Sequence, residues 1–501
     1  MSDDLEIADP DELLTRLQFW QMKVNSNENT GFHMPGHNRG AFFSAAFCQK
    51  LIQLDNTELT WSEDLHKPGS GLQMITNRIS SIYGSAESFL ISTGSTTGIQ
   101  VMISSVLRKG SFFLLPRTVH MSVIHVFMLC KCEYAFIPQV QSDDDYFLFP
   151  QISQDDLKNA LQMYPMATDI FLVSPDYYGQ AANLKELAET AHQHSCRLLV
   201  DEAHGAHFTF QKALFPRDAM SSGADMCVQS LHKTMPALTM SSLIHISETG
   251  ISNGGISPGR VRKCLQIFET SSPSFSIAAS SEFAVDWLSK NQDILAAQCK
   301  YIDTLVDMSA ELLGAQPVMK IDHTKKDRLR IVLSTSHVGL SSFSIQKEME
   351  KEGVYIEFSD FTRLVGIVSP WQKKEDYDQF YQVLHRIIKE RKNKDENALV
   401  LLELEKKWSD LALFVPERRI RLPDTFLMST EAVECKIEVA AEQVAAEIIA
   451  PYPPGIPLLW PGEKISKEHV DFLGIADAMG MEIRGVHKGC VMILDEYSLE
   501  S

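Results

Sequence analysis

No stretch of this chain is both long and apolar enough to span a bilayer: the longest uncharged run, Ser88 to Leu107, is broken by Gly94, Gly98 and many Ser and Thr residues. No membrane association is expected. A basic excess is also missing, since 46 Lys and Arg face 65 Asp and Glu for a net charge of −19. That balance disfavours nucleic acid as a partner; it favours cationic small molecules mildly and solubility more. The nine cysteines are odd in number, scattered, and mostly set in apolar surroundings such as Met226-Cys227-Val228, so they read as reduced core thiols. Cys130-Lys131-Cys132 has the spacing of neither a zinc knuckle nor a redox pair, and no metal site is expected. The N-terminus, Met1-Ser-Asp-Asp, lacks the positive and apolar regions of a secretion signal, so a cytoplasmic protein is expected. There is no internal repeat or low-complexity tract.

What is present is an ordinary globular composition, 44% apolar and 22% charged over 501 residues, enough for two or three domains. Asp9-Pro10 before Asp11-Glu12 predicts a short helix in an N-terminal arm over residues 1–30. Between residues 85 and 247 seven apolar runs alternate with mostly helix-length segments: Ser88–Ser92, Phe112–Leu115, Tyr134–Ile137, Ile170–Val173, Arg197–Val200, Met226–Gln229 and Leu243–Ile246. This predicts a doubly wound, mainly parallel sheet in a large domain over 31–300. A long connecting helix is expected over Phe283–Leu313. Strands at Leu329–Leu333, Val354–Phe358 and Leu364–Val368 then alternate with helices in a small α/β domain over 301–395, and a last domain runs over 396–501.

The chemistry gathers where strands end. Arg197–Val200 runs into Asp201-Glu-Ala-His204, and ligands of open α/β sheets sit beyond the carboxyl ends of strands. A strand-terminal Asp is usually only a cap or turn former. Met226–Gln229, however, runs into Ser230-Leu-His232-Lys233. Together the two read as a two-part pyridoxal-phosphate (PLP) signature, with a lysine to form the imine and a carboxylate to keep the pyridine nitrogen protonated. Ser92-Thr93-Gly94-Ser95-Thr96-Thr97-Gly98 follows the first strand and opens a helical pattern, which suits an anion at a helix N-terminus. It lacks the Walker lysine, and no GxGxxG accompanies it. Pro116-Arg-Thr-Val-His120 follows the second strand and brings an imidazole to the same edge, where it could stack on a planar cofactor.

Assembled, these segments resemble the Orn/Lys/Arg decarboxylase family of PLP enzymes, in its shorter form without an N-terminal wing. The likeness runs nearly end to end, through Phe32-His-Met-Pro-Gly-His37, Thr57-Glu-Leu59 to Asp64-Leu-His66, the two cofactor motifs, Thr270-Ser-Ser-Pro-Ser274, and Pro451-Tyr-Pro-Pro-Gly-Ile-Pro-Leu-Leu-Trp-Pro-Gly-Glu463. It implies PLP fold type I: an aspartate-aminotransferase-like large domain with a seven-stranded, mainly parallel sheet, a small α/β domain and a C-terminal α+β domain. It further implies that Lys233 holds PLP as a Schiff base, Asp201 pairs with the ring nitrogen, His120 stacks on the ring and Ala203 packs on its other face. Ser95, Thr96, Ser230 and His232 would surround the phosphate, with Gly94 and His204 among the cofactor's neighbours. Lys233 or His232 would return the proton after carbon dioxide leaves.

The Thr270–Ser274 segment resembles a loop that approaches a partner subunit's site, which implies a homodimer or higher homo-oligomer. The implied substrate is arginine, lysine or ornithine, converted to an amine of the polyamine pathway. Its distal cation needs an acid, and Glu357 and Asp64 are the candidates, although an outward-facing strand residue and a turn former are equally natural readings of the two. Asn38-Arg39, Thr93, Met240 and Phe275 depart from the family's usual residues and leave the substrate open. Two other classes fit the same motifs. One is a PLP aminotransferase or other lyase that clamps the α-carboxylate with a small-domain arginine, for which Arg363 is the obvious candidate, though it reads as a surface residue. The other is a catalytically silent binding homologue, against which the intact Lys233, Asp201 and His120 stand.

Overall fold

The computed structural model describes residues 29–494 apart from 57, 60–61, 140–147, 315–323, 392–397 and 429–431. The helix expected at Asp9-Pro10 and most of the N-terminal arm lie outside the described residues. The first strand, β1 (Thr30–Phe32), is followed by those of the large domain, and each apolar run named above becomes one of them. They are β2 (Glu87–Ile91), β3 (Phe112–Leu115), β4 (Glu133–Phe136), β5 (Asp169–Val173), β6 (Arg197–Asp201), β7 (Met226–Ser230) and β8 (Ser242–Ile246). The seven pair in the order β2-β8-β7-β6-β5-β3-β4, with β8 antiparallel to both neighbours and the other pairings parallel. The central strands are buried on both faces, as in Leu198-Leu199-Val200, because crossover helices cover the sheet on either side. β4 and β5 flank β3 on opposite sides, so the chain reverses its winding there, and a crevice opens beyond the carboxyl ends of the strands.

The expected helix over Phe283–Leu313 is instead two, Phe275–Lys290 and Asp293–Leu313. Asn291 ends the first, leaving helical geometry (φ −126°, ψ 37°) while its side-chain amide donates to the Trp287 carbonyl. An Asn competing for its own backbone is a natural helix terminator, which apolar spacing alone does not reveal.

The small domain holds β9 (Arg330–Ser334), β10 (Val354–Ile356), β11 (Phe358–Ser359) and β12 (Arg363–Ile367). The run expected as one strand over Val354–Phe358 breaks at Glu357. β10 pairs in parallel with β1, whereas β11 joins the antiparallel sheet β11-β12-β9. The C-terminal region is α+β, with the helices Ala398–Leu413 and Lys467–Ala478 beside a small antiparallel sheet. Its Trp460 is buried against Tyr134 and Phe136 of β4 and seals the last domain onto the large one.

Candidate active site

A cavity of about 260 Å³ lies beyond the carboxyl ends of the parallel strands. Four of them hand it side chains: Thr118 and His120 after β3, Val173, Pro175 and Tyr177 at the end of β5, Asp201, Ala203 and His204 at β6, and His232 and Lys233 after β7. Thr93, Gly94, Ser95 and Thr96 complete it from the turn after β2, and Thr239 and Met240 from the loop before β8.

Gly94, Ser95 and Thr96 are the first residues of the helix Gly94–Val106, and its N-cap, Thr93, makes no side-chain capping bond. The hydroxyls of Ser92 and Thr93 go instead to the Glu269 carboxylate, at 2.7 and 2.8 Å. The first-turn N–H groups are therefore the positive end of a helix at the cavity wall, suited to a phosphate.

His120 caps the helix Met121–Cys130, accepting from the Ser122 N–H at 3.2 Å through Nδ1. Burial, aided by the charge of Lys233, pushes its pKa down to about 4, so it presents a neutral ring. His232 Nδ1 lies 3.0 Å from the Ser241 carbonyl, and burial takes it to about 4 as well. Its N–H must donate to that carbonyl, which leaves Nε2 as an acceptor.

Asp201 is buried and accepts from the Ala203 N–H at 3.0 Å. Burial raises its pKa, against the lowering effects of Lys233 and of that hydrogen bond. Lys233 is brought down to about 8, chiefly by burial, with Asp201 opposing. Its Nζ lies 3.1 Å from His204 Nε2, and His204 Nδ1 lies 2.6 Å from Arg330 Nη2.

Of the residues singled out from sequence, Lys233, Asp201, His120, His232, His204, Ala203, Gly94, Ser95 and Thr96 all line this one cavity. Ser230, the last residue of β7, does not line the cavity; it is fully buried, its Oγ without a hydrogen-bond partner among the described residues. Glu357 accepts from the Met34 N–H at 2.7 Å and is close enough to exert charge on Lys233 and Arg330. Asp64 forms a turn, accepting from the His66 N–H at 2.7 Å, and does not line the cavity. Arg363 is not the surface residue expected of it. It is buried, held by Glu405 at 2.7 Å and set near Asp360 at 3.6 Å, because the last domain covers that strand. Met240 lines the mouth in a left-handed conformation (φ 75°).

Tyr177, Thr118, Thr239 and Arg330 were not read from the sequence. Tyr177 and Thr118 follow strands, the same signal that marked Asp201. Arg330 lies within a small-domain strand and carries no local signal.

The donor set fits pyridoxal phosphate: helix N–H groups and an unpartnered buried hydroxyl for the phosphate, a carboxylate for the ring nitrogen, an amine for the aldehyde carbon. Fold and cavity together define a PLP-dependent enzyme of the aspartate-aminotransferase fold. The family model for the Orn/Lys/Arg decarboxylase major domain matches residues 19–311, and that for the Orn/Lys/Arg decarboxylase C-terminal domain matches residues 421–489. The chain belongs to the Orn/Lys/Arg decarboxylase family and is a PLP-dependent amino-acid decarboxylase. It is 33% identical over 465 residues to the uncharacterized protein YaaO of Bacillus subtilis, covering 91% of this chain and 92% of that one. It is 28% identical to the arginine decarboxylase of the same organism, covering 92% and 94%. Lysine decarboxylase A from Pseudomonas aeruginosa superposes with a TM-score of 0.75 at 16% identity, over 96% of this chain and 80% of that one.

Proposed function

We propose that this enzyme removes the α-carboxylate of a basic amino acid, with arginine the first of arginine, lysine and ornithine to be tried, and releases carbon dioxide and an amine of the polyamine pathway. The observation that carries this reading is the convergence of Lys233, Asp201 and His120 on one cavity whose wall is a helix N-terminus. The names of the arginine decarboxylases among its relatives support the choice of arginine. When bound, pyridoxal phosphate supplies an electron sink for the pair left behind by the departing carboxylate.

The chain's own residues do the rest. Lys233 is the residue that would hold the cofactor covalently. Asp201, ionised, would keep a proton on the ring nitrogen. The neutral His120 and Ala203 would pack on the ring, and Ser95, Thr96, Ser230 and His232 would surround the phosphate. Lys233 is the residue that returns a proton to the substrate carbon, since the neutral His232 spends its one N–H on the Ser241 carbonyl. Glu357 is the better placed acid for the distal cation, since it already acts on the cavity's charges, whereas Asp64 can serve only across a subunit boundary.

We further propose that the enzyme is a homodimer. The exposed apolar side chains of Ile52, Met74 and Ile267 support this, as does the exposed Thr270–Ser272 segment. A cytoplasmic setting suits its nine free cysteines. The test is incubation of the PLP-loaded protein with arginine, lysine and ornithine in turn, followed by product identification. An amine with carbon dioxide is expected from at least one of them. A keto acid would make the protein a transferase, and no product from any of the three would make it a silent homologue.

A further inference from the structure

A buried arginine stands behind the catalytic lysine, with one imidazole between them. Arg330 enters from β9 of the small domain, is fully buried, and makes its shortest contact, 2.6 Å, with His204 Nδ1. An ion pair that merely docks the small domain would look different. The nearest acid in the segment before its strand, Asp327, is 3.6 Å from Arg330 Nη1, and its other carboxylate oxygen is already engaged by His207 Nε2 and the Leu329 N–H, both at 2.9 Å. Room for the arginine is provided by Gly179 (φ 85°), where a Cβ would lie 2.6 Å from Arg330 Cγ.

The chemistry of the contact is one-way. A guanidinium has donors and no acceptor, so His204 Nδ1 must offer its lone pair, and a neutral imidazole then carries its proton on Nε2. That proton points at Lys233 Nζ, 3.1 Å away, and only an unprotonated amine can accept it.

We propose that Arg330 is a positioning residue that fixes the His204 proton on Nε2, so that His204 donates to Lys233 and favours its neutral, nucleophilic amine. The proposal rests on the reading of Lys233 as the cofactor-bearing lysine. The groups acting on that amine are Asp201 from β6, Glu357 from the β10–β11 break, Arg330 from β9, and the imidazoles of His204, His120 and His232. Asp201 and Glu357 favour the ammonium, while Arg330 and burial disfavour it. Burial, aided by the Arg330 guanidinium, likewise keeps His204 neutral. Loss of the guanidinium acts in one direction twice over. It removes a repelling charge, and it frees Nδ1 to take the proton, so that Nε2 can accept from an ammonium.

The test is the pH dependence of acylation of Lys233 by acetic anhydride in the full-length, cofactor-free protein, with the modified peptide quantified by mass spectrometry. The wild-type midpoint is expected near 8. Arg330→Lys, which keeps a cationic donor, should stay close to it, and Arg330→Met should move it up by about one pH unit or more. A wild-type midpoint at the ordinary lysine value, or an unmoved midpoint in Arg330→Met, overturns the proposal.

Should Arg330→Met fail to fold, nitrogen NMR of the histidine-labelled wild type decides instead, with the His204 signal assigned by its loss in His204→Gln. A proton on Nε2 above pH 8, where the amine is neutral, is expected, and a proton on Nδ1 there contradicts the proposal. Acylation reads the amine and not turnover, so it can fail while Lys233 still carries the cofactor. Mapping of the cofactor to another lysine would remove the reading beneath it without moving the midpoint.

Discussion

Asp201 shows what a single side chain contributes here. A carboxylate buried at a strand end is driven toward its neutral form, and among the described residues Lys233 and the Ala203 N–H oppose that drift. A protonated pyridine nitrogen is the cation that would restore its charge. Asp201→Ala should therefore retain PLP yet lower kcat by a factor on the order of a hundred or more, comparable to the loss of other preorganised charge stabilisers. A near-normal kcat would mean that another group protonates the ring. At the substrate's far end, Glu357→Ala should raise KM for the cationic amino acid by about ten- to a hundredfold, from roughly 1.5–3 kcal/mol of charge-assisted bonding, with PLP retention unchanged. Asp64→Ala should do the same only if that acid arrives from a partner subunit. Unaltered kinetics in both variants would move the specificity pocket elsewhere. Residues such as Lys233, Asp201 and His120 were legible because each lies at or just beyond the carboxyl end of a buried strand, and sequence alone locates that edge. Arg330 was not, because its partner His204 is 126 residues away and the strand around Arg330 reads like any other.

At the scale of elements, the segment carrying His120 is held from the far end of the chain. Arg117 forks onto Glu463 with bonds of 2.7 and 2.6 Å and also donates to the Leu458 carbonyl at 2.7 Å, all within buried surroundings. Glu463 in turn accepts from the Trp460 N–H at 2.8 Å, so the Pro451–Glu463 signature works as a clamp on the loop after β3. Removing one partner of a buried pair strands the other charge. Glu463→Gln should cost about 3–5 kcal/mol, read as a lowered thermal unfolding temperature. An unchanged unfolding temperature would show that the pair is dispensable. The signature was legible as a resemblance, but its partner was not, since nothing local to Arg117 announces a contact with the last domain. The breaks at Asn291 and Glu357 escaped for a related reason. Apolar periodicity records which face is buried, whereas these breaks are set by a side-chain amide in one case and by a change of strand partner in the other.

For the whole molecule, buried neutral histidines tie stability to pH. His120, His232 and His469 are each pushed down to about 4, in every case chiefly by burial. Unfolded, they titrate near about 6.5, so between these values the unfolded chain binds more protons than the folded one. Stability is thus fully present above about 6.5 and is lost as pH falls toward 4. The unfolding temperature should drop across that window, and one that stays flat from pH 7 to 4 would contradict the assignment of neutral, buried rings.

Assembly belongs to the same scale. Light scattering should give the mass of a dimer, and a fully active monomer would refute shared sites. The central claim, that one lysine at the end of β7 carries the cofactor, is tested most directly by borohydride reduction of the PLP-loaded enzyme followed by peptide mapping. A phosphopyridoxyl group on Lys233 is expected. Its appearance on another lysine, with Lys233 unmodified, would overturn the assignment.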